Sequence, residues 1–113
     1  DHPIPDGRPL LFSTPWLKPA FDARGMPDLN ENREVMRRLI DRLNDAAGRV
    51  AAANIGRVHH ANLTGILAKD PRYQADYTQL WANELHPTRD GFDLLAAEIA
   101  RMLQDLNIGP PTS

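Results

Sequence analysis

Proline placement restricts this chain more than any other feature. Six of its ten prolines, at positions 3, 5, 9, 15, 19 and 27, fall within the opening stretch "DHPIPDGRPLLFSTPWLKPAFDARGMPDL". Each removes a backbone donor and pushes the preceding residue toward extended geometry. No helical period survives there, so residues 1–28 are expected as an ordered loop. Its anchors are Leu10, Leu11, Phe12, Trp16, Leu17 and Phe21. A loop of this length in a small domain is usually functional or belongs to something larger.

Regular structure is therefore displaced downstream. Val35, Met36, Leu39, Ile40, Leu43, Ala47 and Val50 recur at three- and four-residue intervals, which predicts a helix over 29–53 with one apolar stripe. Asp28 with Glu31 has capping-box spacing, and Asn30 is a competing cap. Arg33, Glu34, Arg37, Arg38, Asp41 and Arg42 form its solvated face. After Gly56, "RVHHANLTGIL" reads as a strand over 55–64 that turns at Gly65. A polar connection, "AKDPRYQADYTQL", follows with Tyr73, Tyr77 and Leu80 as anchors. Thr88 then caps a last helix, 88–107, whose stripe is Phe92, Leu95, Ala96, Ile99, Met102 and Leu103. Gly109 and Pro110-Pro111 end it, leaving 108–113 as a tail.

The 113 residues fit one domain. Thirteen basic and 15 acidic side chains give a formal charge of -2, with the arginines interleaved among acids rather than gathered in a stripe. Nucleic acid is not an expected partner. Apolar runs are too short to span a membrane. The absence of cysteine removes disulfides, thiolate metal sites and a cysteine nucleophile. His59 and His60 would face opposite sides of a strand, so no metal site and no cofactor are expected.

One histidine stands apart. In "WANELHPTRDGF", residues 81–92, Pro87 confines His86 to extended backbone and Thr88 starts the helix immediately after it. Free amides at that helix start disfavour a nearby positive charge and help keep an imidazole neutral. Trp81 and Leu85 can bury the rest of the loop. The arrangement suits a general base, although a lone loop histidine is more commonly a surface residue.

At these residues the chain resembles the C-terminal part of an SGNH (GDSL-type) serine hydrolase. That family ends in a D-x-x-H block, often continued as H-P-T-x-x-G-[FY] and a closing helix. His86, Pro87, Thr88, Gly91 and Phe92 are all in step with it. "HPIPDGR", the helix "REVMRRLIDRLNDAAGRVA" and "RVHHANLTGIL" resemble successive pieces of the second half of such a domain. The resemblance implies an α/β fold, the C-terminal portion of a three-layer α/β/α, flavodoxin-like domain that is helix-rich in this chain. It also implies esterase or lipase-like hydrolysis of a small ester or related acyl substrate through an acyl-serine, with His86 as general base.

Two departures from the family pattern matter. The aspartate three before the histidine is Asn83 here. An amide can orient an imidazole but cannot supply the charge that stabilises imidazolium, so Asn83, Glu84 or a backbone carbonyl is left as the orienting group. The nucleophile block G-D-S and the oxyanion block G-x-N-D are both missing. The two serines are Ser13, in "FSTPW", and Ser113 in the tail. The expected partner is thus the missing N-terminal half of the hydrolase domain, with a homo-oligomer or swapped dimer as a further expectation. The alternative is a non-catalytic helical module that dimerises through the stripes of 35–50 and 92–103.

Overall fold

The computed structural model describes residues 15–108. Leu10, Leu11, Phe12, Ser13, Gly109, Pro110, Pro111 and Ser113 lie outside that range. Four α-helices make up most of the described chain: α1 (Leu17–Asp22), α2 (Leu29–Ala53), α3 (Pro71–Ala75) and α4 (Arg89–Asp105). Two 3₁₀ turns, Leu67–Lys69 and Tyr77–Gln79, flank α3. The only β pairing among the described residues is an isolated antiparallel bridge between Trp81 and Pro87.

Both long helices form where the apolar period places them. Asp28 caps α2 by accepting from the Glu31 amide at 2.8 Å, so Asp28 and not Asn30 is the cap. Thr88 caps α4 through the Gly91 amide at 3.2 Å. The end of α4 is set earlier than Gly109. Asn107 takes a positive φ of 54°, and the Asn107 and Ile108 amides reach back to the Gln104 and Leu103 carbonyls, each at 2.9 Å. This is a Schellman closure, with asparagine in the position glycine more often fills.

Two expectations are corrected. Part of the opening loop is helical, because Pro15 and Pro19 flank or enter only the first turn of α1, where a proline's missing donor is no loss. The strand expected over 55–64 is not formed. Residues 54–57 make a turn with Gly56 at φ 75°, and 58–63 run on without regular structure. A strand exists only against a neighbour, and no second strand lies beside this one among the described residues. The described residues are mostly helical, and no sheet is formed among them.

The core is small. Leu67, Leu80 and Trp81 are buried, with Tyr73, Tyr77, Leu94 and Leu95 packed on them. Tyr73 and Tyr77 meet at 6.5 Å between ring centroids, tilted by 53°. Much of the two stripes is uncovered: Leu39, Leu43 and Val50 on α2 and Phe92, Ile99 and Leu103 on α4 are all exposed. The radius of gyration is 16.5 Å, against about 13 Å for a compact chain of some 100 residues.

Candidate functional site

The histidine loop hangs from the core. Thr88 donates its amide to the Leu80 carbonyl at 2.9 Å and its hydroxyl to the Gln79 carbonyl at 2.7 Å. These two bonds fix the start of α4 against the turn that ends in Leu80. Gly91 makes the approach possible. A Cβ at that position would stand 2.4 Å from the Leu80 carbonyl oxygen and 2.9 Å from Pro87 Cβ. Between these supports, Ala82 donates to the His86 carbonyl at 2.9 Å and closes the loop.

Asn83 organises the interior of that loop. It is buried, 7% exposed, and its Oδ1 accepts from the Leu85 amide at 2.9 Å and the His86 amide at 2.8 Å. The same oxygen lies 3.1 Å from His86 Nδ1. Two backbone donors aimed at one atom require that atom to be the oxygen, which settles the amide's orientation. An amide oxygen only accepts, so in the neutral imidazole Nδ1 carries the proton and Nε2 the lone pair. The His86 residue is exposed, while Trp81, Asn83 and Glu84 around it are buried. The imidazole is thus held at one edge and open at the other.

Glu84 points elsewhere. It is 1% exposed, and its carboxylate accepts from the Trp16 and Leu17 amides at 2.7 and 2.6 Å and from the Lys18 amide at 2.9 Å. Those are the otherwise unsatisfied donors of the first turn of α1, and a carboxylate there also meets the positive end of the helix dipole. Glu84 therefore fastens the proline-rich segment to the histidine loop, and Asn83 is the residue in contact with the ring.

Other sequence candidates are dispersed. His60 is half-buried with its Cδ2 3.8 Å from where a Gly48 Cβ would stand, and its Nε2 has no partner among the described residues. His59 is exposed. No group of three histidine, aspartate or glutamate side chains able to hold a metal occurs among the described residues. No helix is long and apolar enough to cross a membrane in that same set.

Asp70 lies in the polar connection before the histidine loop. "DPR" places an N-cap aspartate before a proline at the first helical position, a recognisable start signal for α3. Asp70 accepts from the Arg72 amide at 2.9 Å and pairs with its guanidinium through Nε at 2.9 Å and Nη2 at 3.0 Å. That guanidinium, together with the hydrogen bond donated by the Arg72 backbone amide, holds Asp70 below the usual aspartate range. Arg72 Nη1 also reaches Asp90 at 3.0 Å, joining α3 to the first turn of α4.

No protein-family model matches the chain, and neither a curated protein nor a solved structure is found to be similar to it.

Proposed function

We propose that this chain is the base-supplying part of a serine-type acyl hydrolase, acting on an ester or a related acyl bond. The observation that supports it is the single oxygen of Asn83 on both the His86 amide and Nδ1, which in the neutral ring puts the lone pair on Nε2 of an exposed residue. In the proposed cycle Nε2 takes the proton of a serine hydroxyl as its oxygen attacks the acyl carbon. The proton then passes to the leaving group as the acyl–oxygen bond breaks. Water, deprotonated by the same nitrogen, attacks the acyl-serine, and the acid is released as the serine oxygen takes that proton back. Asn83 acts as orienter and not as counter-charge. In a serine protease triad an aspartate-to-asparagine change costs about 10⁴ in turnover because the amide selects the wrong tautomer. Here the backbone donors fix the amide the other way round.

The attacking hydroxyl belongs, in this reading, to polypeptide outside these 113 residues. Hydrolysis of p-nitrophenyl acetate is the direct test. The chain by itself should show no turnover that depends on His86. A polypeptide that joins it to a G-D-S-bearing segment should turn over and lose that activity in His86→Ala. Activity in the joined protein that survives His86→Ala would sink the assignment of the base, and strong His86-dependent activity in the chain alone would sink the claim that the nucleophile lies elsewhere.

A second reading draws on the uncovered stripes of α2 and α4. Leu43 is 66% exposed and Phe92 53%, which favours a helical binding or dimerisation module. It predicts a joined protein with no esterase activity at all.

A further inference from the structure

Asn62-Leu63-Thr64 has the pattern N-x-[ST], with leucine and not proline in the middle, which is the acceptor sequence for N-linked sugars. Asn62 alone among the chain's asparagines is followed two residues later by serine or threonine. A three-residue match can arise by chance, so its placement in the fold decides its weight.

Asn62 is exposed, in the irregular run that joins α2 to the turn at Gly65. Gly65 takes a φ of 84°, and a Cβ built on it would meet nothing within 4 Å, so the turn stands clear of the rest of the chain. Asn62 Oδ1 accepts from the Thr64 amide at 3.0 Å. Among the described residues nothing accepts from its Nδ2. By contrast, Nδ2 of Asn32, Asn44 and Asn54 donates to a backbone carbonyl at 2.9, 3.1 and 2.8 Å. Thr64 Oγ1 accepts from Asn44 Nδ2 at 2.9 Å, which leaves its hydroxyl proton available to donate.

An amide nitrogen is a weak nucleophile because its lone pair is shared with the carbonyl. A hydrogen bond onto Oδ1 stabilises the charge that collects there as the nitrogen gives up a proton, which is the change that N-glycosylation needs. We propose that Asn62 is a glycosylation site, where an oligosaccharyltransferase joins Nδ2 to C1 of a sugar carried on a polyprenyl diphosphate. The C1–Nδ2 bond forms as the bond from C1 to the diphosphate oxygen breaks. The diphosphate leaves with that electron pair, and a base on the transferase takes one Nδ2 proton. The Thr64 hydroxyl is the second group the transferase reads. The glycan places a bulky, polar group next to Ala61, at the rim of an apolar concavity of about 540 Å³ that Val58, Ile99 and Met102 also line. The proposal is independent of the hydrolase reading.

The chain, made without sugar in a bacterial cytosol and shown to be folded by circular dichroism, is incubated with a purified single-subunit eukaryotic oligosaccharyltransferase and a lipid-linked chitobiose donor. Its intact mass should rise by one glycan, and fragmentation should place that glycan on Asn62. Asn62→Gln alters an exposed side chain and should lose the increment with the fold intact. Thr64→Val should lose it too, and Thr64→Ser should keep it. The chain secreted from yeast behind a leader peptide should migrate as a glycoprotein until peptide N-glycosidase converts Asn62 to aspartate. A folded chain that gains no sugar overturns the proposal, as does a glycan that survives Asn62→Gln. Modification only after unfolding in urea overturns it as well, because the exposed turn would then have no part in it.

Discussion

Asn83 Oδ1 accepts the His86 amide at 2.8 Å and lies 3.1 Å from His86 Nδ1, so one atom fixes both the backbone and the ring of the same residue. The loop folds around that oxygen. A change at Asn83 therefore acts on stability and on imidazole chemistry together, and a useful experiment separates the two.

Replacing Asn83 by leucine removes an acceptor from two backbone amides and from the ring. We expect a loss of about 1–3 kcal/mol in unfolding free energy, the cost of stranding buried donors. Long-range ¹⁵N–¹H spectra should show His86 as the Nδ1–H tautomer in the parent chain and a mixture in Asn83→Leu. Asn83→Asp should keep the Nδ1–H form, because a carboxylate oxygen accepts from the ring as the amide oxygen does. A parent spectrum dominated by Nε2–H would contradict the geometry.

Glu84 links the histidine loop to the start of α1 through three backbone amides. Glu84→Ala leaves three first-turn amides without their acceptor, and hydrogen bonds to a charged group contribute about 1.5–3 kcal/mol each. Some of that returns as hydration once α1 frays, so a net loss of about 3 kcal/mol is expected by urea unfolding. Glu84→Gln should lie between, since one amide oxygen can serve only part of the set. Trp16 is 65% exposed and sits at the clamp. Its fluorescence anisotropy should fall in Glu84→Ala, and an unchanged value would mean that α1 is held by other contacts.

How much of this was legible in the sequence depends on the range of the interaction. Asp28, Thr88 and the stripes of α2 and α4 act within a few residues, so spacing alone reveals them. Asp70 was equally local and readable, since the aspartate–proline pair is a helix-start signal. Glu84 was not. Its donors are 66 to 68 residues away, and no local pattern marks a carboxylate whose partner is a distant helix start. Proximity to His86 in sequence made Glu84 a candidate orienter, yet adjacent side chains diverge, and the residue three before the histidine reaches the ring. The strand at 55–64 failed for a different reason. "RVHHANL" has no acidic residue and no proline to oppose extended structure, but pairing requires a neighbouring strand.

Gly91 offers a test in which two effects oppose each other. In an open helix, glycine to alanine gains about 1 kcal/mol of helix propensity. Here the added methyl would sit 2.4 Å from the Leu80 carbonyl oxygen, which is backbone. The start of α4 must then move off that turn, weakening the Thr88-to-Leu80 bond of 2.9 Å. Overpacking costs about 1–3 kcal/mol and should win. Gly91→Ala is expected to destabilise the chain and to speed exchange of the Thr88 amide, whereas a stabilised variant would mean that the contact is looser than it stands.

Acid should loosen the ion pair between Asp70 and Arg72 in a defined window. Arg72 holds the Asp70 carboxyl below its ordinary value, so the folded chain binds that proton less readily than the unfolded chain does. The stabilisation is complete above the unfolded value of about 3.9 and is lost as pH falls through the lower folded value. Asparagine is also a good helix cap, so Asp70→Asn keeps the bond to the Arg72 amide and deletes the charge. The parent chain should be the more stable at neutral pH, and the gap between the two should close as pH drops from about 4 through the lower folded value. Both side chains sit partly in solvent, with 18% of Asp70 and 39% of Arg72 exposed, so salt should narrow the gap as well. A gap that stays constant across the acid range would show that Asp70 acts here by its shape and hydrogen bonding alone.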